Sequence, residues 1–339
     1  MTSNKTEIVN EQGEMVFAQT PVIISASRST DIPTFYADWF VDRWRAGYVK
    51  WKNPFNGAPL YISFKDTRVV VFWTKNPKPM FKHLDFLDEH IKNYYFQFTL
   101  NDYDQDGFEG KVPRVESRIE TFKELSNRIG KERVVWRFDP LILTKNIDVP
   151  ELLRRLENIG EELYSYTNKL AFSFADISIY KKVQSNLRKG NIEYIEFTAD
   201  TMIEFAKGLN NLNKKWNLEL ATCAEKFELN KYGIMHNKCV DDDLMIKLFH
   251  HDKELMKFLG VEFIEPTLFE STEGIEKTKK MKDKGQREAC GCIMSKDIGE
   301  YNTCPHECVY CYANTSIEIA HSNYKTHKLN PLSDTITGL

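Results

Sequence analysis

Val69-Val-Val-Phe-Trp-Thr-Lys-Asn-Pro77 sets five apolar residues in a row, then a hydroxyl, a cation and an amide, and closes on a proline. A run that is apolar on both faces suits a strand covered from both sides, as in a parallel sheet; a half-exposed strand would alternate. Pro77 then opens a helical stripe of Met80, Leu84, Leu87 and Ile91, spaced three and four apart. The same strand-then-helix unit recurs along the chain. Six strands are expected, at Val22–Ala26, Val69–Trp73, Tyr94–Phe98, Val134–Phe138, Leu170–Phe174 and Leu218–Thr222. Further stripes run through Val115, Ile119, Phe122 and Ile129, through Leu152, Leu156, Ile159 and Leu163, and through Met202, Phe205, Ala206 and Leu209. Alternation of this kind implies an α/β protein, a parallel (βα)6-type TIM-like partial barrel with a C-terminal cysteine-rich cluster-binding segment.

Two stretches interrupt the alternation. Tyr48 to Ser63 places β-rich arms around Asn53-Pro-Phe-Asn-Gly57 and reads as a hairpin after the first helix, Phe35 to Trp44. Glu270 to Glu288 is charged and poor in large apolar residues, which suits a surface linker. The expected organisation is a polar N-terminal tail over 1–20, a βα barrel over 21–265, a charged linker over 266–288 and a cysteine-rich iron-sulfur segment over 289–339 packed on the barrel mouth. With 339 residues, 42% of them hydrophobic, the chain has ample material for a core of that size. Lys and Arg number 46 against 49 Asp and Glu, so a net charge of -3 gives no overall pull toward nucleic acid or an anionic membrane. The first twenty residues lack the cationic start and apolar stretch of a signal peptide, and no run approaches a membrane span. A cytoplasmic location with reduced thiols is the expectation.

Polar residues recur where each strand ends. Ser27-Arg28-Ser29-Thr30-Asp31 follows the first, Thr74-Lys75-Asn76 the second, Thr99 and Asn101 the third, Asp139 the fourth, Asp176 the fifth, and Cys223 with Glu225 the sixth. Each could be a helix cap or turn former. In βα barrels, however, the ligand site is built from these same ends. Arg137 and Asp139 alternate along one strand and so share a face, where they could also pair with each other.

Seven cysteines remain to be placed. Cys304-Pro-His-Glu-Cys308-Val-Tyr-Cys311-Tyr-Ala-Asn314 spaces three thiols as CxxxCxxC, which suits an iron-sulfur cube with one iron left open. Zinc with His306 as a fourth ligand, or half of a ferredoxin-like site, fits the same spacing. Cys223, Cys239, Cys290 and Cys292 could complete a second site, an auxiliary iron-sulfur cluster or a closed zinc, or could be buried core thiols.

The triplet, with Tyr310 before its last cysteine, resembles the cluster loop of radical S-adenosylmethionine enzymes, in the form seen in spore photoproduct lyase-like members. That resemblance implies a [4Fe–4S] cluster on Cys304, Cys308 and Cys311 whose open iron chelates S-adenosylmethionine, and whose electron cleaves it to a 5′-deoxyadenosyl radical. It also implies an electron donor such as a flavodoxin or ferredoxin. Under it Arg28, Lys75 and Arg137 are candidate cations for the cofactor carboxylate, and Asp139, Asp176 and Glu225 candidate acceptors for its amine and hydroxyls. Arg28, Lys75, Arg137 and Asp139 form the candidate catalytic set; Asp176, Glu225, Tyr310 and Asn76 form the cofactor-binding set. The loop type also suggests nucleic acid, with Tyr310 and Tyr312 able to stack on a base. In the enzymes it resembles, this loop follows the first strand; here it follows all six, so either the order is permuted or the tail folds back. Ser25-Ala-Ser-Arg-Ser-Thr-Asp-Ile-Pro33, Asn53-Pro-Phe55, Phe72-Trp-Thr-Lys-Asn-Pro77, Arg137-Phe-Asp-Pro140, and the stretch from Cys290-Gly-Cys292 through Tyr312-Ala-Asn314 together resemble the uncharacterised prokaryotic family called domain of unknown function 1848. Two other classes fit the same residues: a zinc-dependent hydrolase using His306, Asp139 or Asp176, and a non-catalytic iron-sulfur protein that carries electrons or senses redox state.

Overall fold

In the computed structural model, residues 4–264, 274–278, 281–283 and 285–338 are described. Burial on both faces explains the unbroken apolar strands. The main sheet has eight: β1 (Ile23–Ala26), β2 (Val69–Thr74), β3 (Asn93–Thr99), β4 (Val134–Leu141), β5 (Lys169–Phe174), β6 (Glu219–Thr222), β7 (Ile234–His236) and β8 (Lys296–Asp297). Their order is β7-β6-β5-β4-β3-β2-β1-β8, and every neighbouring pair is parallel. All six expected strands are present. The two additional strands have three residues and two, too few for a period of two to show in sequence.

Between the strands run α1 (Ala37–Ala46), α2 (Leu84–His90), α3 (Val115–Ile129), α4 (Val149–Leu163), α5 (Lys181–Lys189) and α6 (Ala199–Trp216). One sheet face packs Phe72, Phe96, Phe98, Trp136 and Phe172 into a core with Phe40, Phe122, Leu156 and Phe205 of these helices. The other face packs Ile23, Val69, Val71 and Tyr95 against Met245, Phe249, Leu255 and Leu259. Those four residues belong to α7 (Asp242–Phe249) and α8 (Lys253–Leu259). Asp252 accepts from Arg68 Nη2 at 2.6 Å and Asn93 Nδ2 at 2.7 Å, while Lys169 Nζ donates to Asp241 at 2.9 Å. These pins lie at strand starts, so α7 and α8 floor the inner face at the N-terminal strand ends and leave the C-terminal ends to the loops.

No strand pairing joins β7 to β8 among the described residues. The sheet is therefore an open one by strand pairing, and barrel closure is not seen there. Its two edges still meet just beyond the strands. Ile293 N donates to Val240 O at 3.2 Å, and Cys239 N donates to Cys292 Sγ at 3.2 Å.

The expected hairpin is present as Tyr48–Lys52 antiparallel to Pro59–Ser63. Residues 4–20, expected as a polar tail, contain a second hairpin, Lys5–Val9 with Met15–Gln19, and the two join in a four-stranded sheet. Its turn is built by Asn10 Oδ1, which accepts from Gln12 N and Glu14 N. Only one face of that hairpin is partly covered, and Val9, Met15 and Phe17 stay exposed. Within the expected linker, residues 266–273, 279–280 and 284 lie outside the described residues, and Gly274–Lys277 pairs antiparallel with Val261–Ile264. After the cysteine triplet comes α9 (Ile317–Leu329), capped by Ser316. Among the described residues no helix is long and apolar enough to cross a membrane.

Candidate metal-binding cavity

A cavity of about 500 Å³ opens at the C-terminal ends of the strands, and all seven cysteines line it. Cys223 ends β6, Cys239 follows β7, Cys290 and Cys292 precede β8, and Cys304, Cys308 and Cys311 follow β8. Residues far apart in the chain thus converge because the sheet places the β6–β7 end and the β8 segment at its meeting edges.

The triplet loop is pinned from below. His306 is buried, and its Nε2 lies 2.8 Å from Asp31 Oδ2. The same Asp31 caps the helical turn Ile32–Phe35 by accepting from Thr34 N, and also accepts from Lys75 N at 2.7 Å. Tyr36 Oη donates to Thr303 O at 2.5 Å, Asn314 Nδ2 to Cys304 O at 2.7 Å, and Val309 N to Phe108 O at 3.0 Å. Tyr310 Oη bonds Glu109, which also holds Lys75 Nζ at 2.8 Å and Arg118 Nη1 at 3.3 Å. Asn101 Nδ2 completes this network to Glu109 and to Tyr310 Oη. Burial alone would raise the Glu109 carboxyl; Lys75 and Arg118 override it and hold the group down at about 2. Burial raises the thiols of Cys304, Cys308 and Cys311, so binding a metal there would release protons.

Among the described residues, no three of the seven thiols have sulfurs all within 4.8 Å of one another. A single tetrahedral zinc, with Zn–S near 2.3 Å, would hold every pair of sulfurs roughly 3.8 Å apart. A cube-shaped cluster spreads its thiolates wider, because each caps a different iron. The triplet's spread fits the cluster better than the ion. His306 commits its Nε2 to Asp31, while its buried Nδ1 in the cavity wall has no hydrogen-bond partner and stays open to a ligand.

The other four cysteines form a row of contacts. Cys223 Sγ and Cys239 Sγ lie 3.3 Å apart, Cys239 N reaches Cys292 Sγ, and the thiols of Cys290 and Cys292 are hydrogen-bonded. That bond from Cys292 lowers Cys290 to about 7. Arg137 Nη1 donates to Cys239 Sγ at 3.1 Å and Nη2 to Cys223 Sγ at 3.3 Å. Asn237 Nδ2 donates to the same two sulfurs at 2.9 and 3.2 Å.

Of the polar candidates, Arg28, Lys75, Arg137, Asp139, Asp176 and Tyr310 line the cavity, and Asn76 and Glu225 do not. Asn76 is spent on the turn, its N bonding Thr74 Oγ1 and its O accepting from Thr34. Glu225 accepts from Lys226 N and Phe227 N in its own loop. Lys75 is consumed by Glu109 and Tyr310, and Arg137 is consumed by Asp139 at 2.5 Å and by the two sulfurs. Asp139 is shared between Arg137 and Ser173. Arg28 is different. Its guanidinium stands 4.0 Å from Asp283, its buried Nη2 has no hydrogen-bond partner, and it lies over one Trp73 ring that Arg137 also faces. Asp176 takes only the Ser178 hydroxyl at 3.2 Å and otherwise faces the cavity. Tyr312 is half-exposed, with its Oη bonded to Arg28 O.

Sequence reasoning missed Glu109, Asn237 and Asp297, and noted Asn101 only as a polar strand end. Asp297 accepts from Ser25 Oγ, Ser27 Oγ, Ser29 Oγ, Arg28 N and Gly299 N. The serines after β1, expected as possible helix caps, are therefore a clasp on β8, and Asp31 is the cap. Alternate serines at 25, 27 and 29 were the available signal, since such spacing points one way from extended chain.

A sequence profile described as "Domain of unknown function (DUF1848)" matches residues 23–313, from β1 to just past Cys311. No curated protein matches the chain. Among solved structures, a putative alpha-L-fucosidase from Bacteroides thetaiotaomicron VPI-5482 is similar at 10% identity, over 57% of this chain and 84% of that one, with a TM-score of 0.21. At that score neither fold nor activity carries over.

Proposed function

The chain belongs to the DUF1848 family, and on the geometry of its cavity we propose that it is an iron-sulfur enzyme of the radical S-adenosylmethionine type, with a [4Fe–4S] cluster on Cys304, Cys308 and Cys311. The observation that carries this reading is the placement of three thiols, spread wider than one ion would hold them, on the wall of a 500 Å³ cavity at the strand ends. A simple electron carrier needs no such space. The row of strands supports it as well. β8 lies beside β1 at one edge, so the cysteine loop follows the strand that stands first in space although it comes last in the chain. Layout and resemblance then agree, with the order permuted around a barrel-like sheet.

When bound, the cluster supplies one-electron reduction of S-adenosylmethionine, fed by a small carrier of the flavodoxin or ferredoxin kind. This chain's own groups bind and orient. Arg28, with an unpartnered N–H in the cavity, receives the cofactor carboxylate; Asp176, with a free acceptor, receives its amine or a ribose hydroxyl. Lys75 and Arg137 act at one remove, the first holding Tyr310 and Glu109 under the loop, the second holding Asp139 and the thiols. Tyr180 and Tyr312, with ring centroids 6.2 Å apart, form part of the wall that keeps water from the reacting groups.

The test is anaerobic purification and reconstitution, with iron, sulfide and zinc measured per chain and the reduced electron paramagnetic resonance spectrum recorded with and without S-adenosylmethionine. A cluster whose spectrum the cofactor perturbs supports the reading. A cluster indifferent to the cofactor, or a cofactor-perturbed spectrum retained when Cys304, Cys308 and Cys311 are all replaced by alanine, overturns it.

A further inference from the structure

We infer that Cys223, Cys239, Cys290 and Cys292 form a second metal centre of the protein, an iron-sulfur cluster held by two pairs of thiolates across the seam between the β7 and β8 edges. The inference does not depend on the triplet's cluster; it rests on different residues and a different set of contacts. One pair comes from the β6–β7 side, with sulfurs 3.3 Å apart, and the other from the Cys-x-Cys segment before β8. The pairs touch through Cys239 and Cys292, where Cys239 N and Val240 N both donate to Cys292 Sγ, at 3.2 and 3.5 Å.

The donors around these sulfurs argue for charge on them. Cys223 and Cys239 each receive one guanidinium N–H from Arg137 and one amide N–H from Asn237. A neutral thiol is a weak acceptor and, as a small core hydrophobe, would not collect such donors. Anionic sulfur would, and N–H bonds to the sulfurs are how a protein orients and tunes an iron-sulfur cluster. Charge balance points the same way. Arg137 is 3% exposed and has one close carboxylate, Asp139; Arg28 lies near Cys292 and Cys239 as well as Asp297, with Asp283 at 4.0 Å and one buried N–H unsatisfied. Two guanidinium groups turned toward four sulfurs are balanced if the sulfurs are thiolates bound to metal.

A cluster suits the spread better than zinc does. Three of these sulfurs never come within 4.8 Å of one another as a set, whereas a single tetrahedral ion would draw all four to roughly 3.8 Å. A disulfide between Cys223 and Cys239 is the other chemistry their contact permits, and it would leave Cys290 and Cys292 with no part.

The deciding experiment uses the full chain, purified anaerobically after expression with iron, in three forms: unaltered, with Cys304, Cys308 and Cys311 all replaced by alanine, and with the single change Cys290→Ser. Iron, acid-labile sulfide, zinc and free thiols are counted per chain, and folding is checked by circular dichroism. The triplet variant is expected to keep iron and sulfide, and Cys290→Ser to lose at least about half of whatever the triplet variant keeps. A folded triplet variant without iron or sulfide overturns the inference, as does one zinc per chain without sulfide or a Cys223–Cys239 disulfide in metal-free protein. Should the triplet variant not fold, the unaltered protein and Cys290→Ser decide: equal iron and an unchanged spectrum overturn the second centre. Failure of the radical reading looks different, since it leaves the unaltered protein with a spectrum blind to S-adenosylmethionine, whatever iron the triplet variant keeps.

Discussion

Glu109 shows how far a single residue in this site depends on partners that sequence cannot bring together. Its fully buried carboxylate holds Lys75 from 34 positions away and Tyr310 from 201 away, with Arg118 on its other oxygen. Glu109→Gln would leave the buried Lys75 with no carboxylate partner and Arg118 with Asp104 alone, a change that costs about 3–5 kcal/mol. Urea unfolding measures it, and a loss under about 1 kcal/mol would show that the network carries little. At the floor, burial alone would raise the Asp252 carboxyl, but hydrogen bonds from Arg68, Leu255 N and Asn93 hold it below its ordinary 3.8. A carboxyl lowered by folding stabilises the protein above its unfolded value and loses that contribution as pH falls through the folded one. Stability should therefore drop as pH is lowered past 3.8, and Asp252→Asn should flatten that limb in urea titrations at several pH values. Lys75, Arg137 and Asp139 were legible as polar strand ends pointing at a cavity, and they are there. The pairing of Arg137 with Asp139 was legible as well, from their alternation along one strand, whereas the partners of Lys75 were not, because Glu109 and Tyr310 reach it from elsewhere in the chain.

At the scale of elements, β8 is the strand that places the chemistry and the one sequence shows least. Two residues carry no period, yet Asp297 ties them to β1 and its loop by four hydrogen bonds, and the cysteine segments hang on either side. A Cβ on Gly299 would meet Ser27 Oγ at 1.9 Å, so the clasp closes only around a glycine. Asp297→Ala strands several donors at once. At about 1–3 kcal/mol for each that stays buried, the variant should lose roughly 3 kcal/mol or more, together with most of its bound iron, while its far-ultraviolet circular dichroism stays close to native. Full iron with native stability would mean that the loops hold themselves. The six longer strands and their helical stripes, by contrast, are where periodicity and burial placed them, because each carries enough apolar residues to be read on its own.

Across the whole molecule, the row of strands runs in chain order from β1 to β7, with β8 returned to the side of β1, so the open sheet has a cut in strand pairing between β7 and β8 among the described residues. Sequence left two possibilities for the cysteine tail, permutation or folding back, because nothing local says which edge a two-residue strand will join. The cut is bridged by Ile293 N to Val240 O and by Cys239 N to Cys292 Sγ, and four of the seven cysteines stand along it. Metal bound by those four would do at the seam what strand pairing does elsewhere. A ligand present at a thousand times its dissociation constant stabilises the form that binds it by about 4 kcal/mol, and that gain should appear where the ligands are. Hydrogen exchange on metal-loaded and chelator-treated protein is therefore expected to differ most at the amides of 237–240 and 290–293, and least in β2 to β5, whose ladders are complete without metal. If loading protects the central strands as much as the seam, the metal acts on global stability and the seam is held by other means.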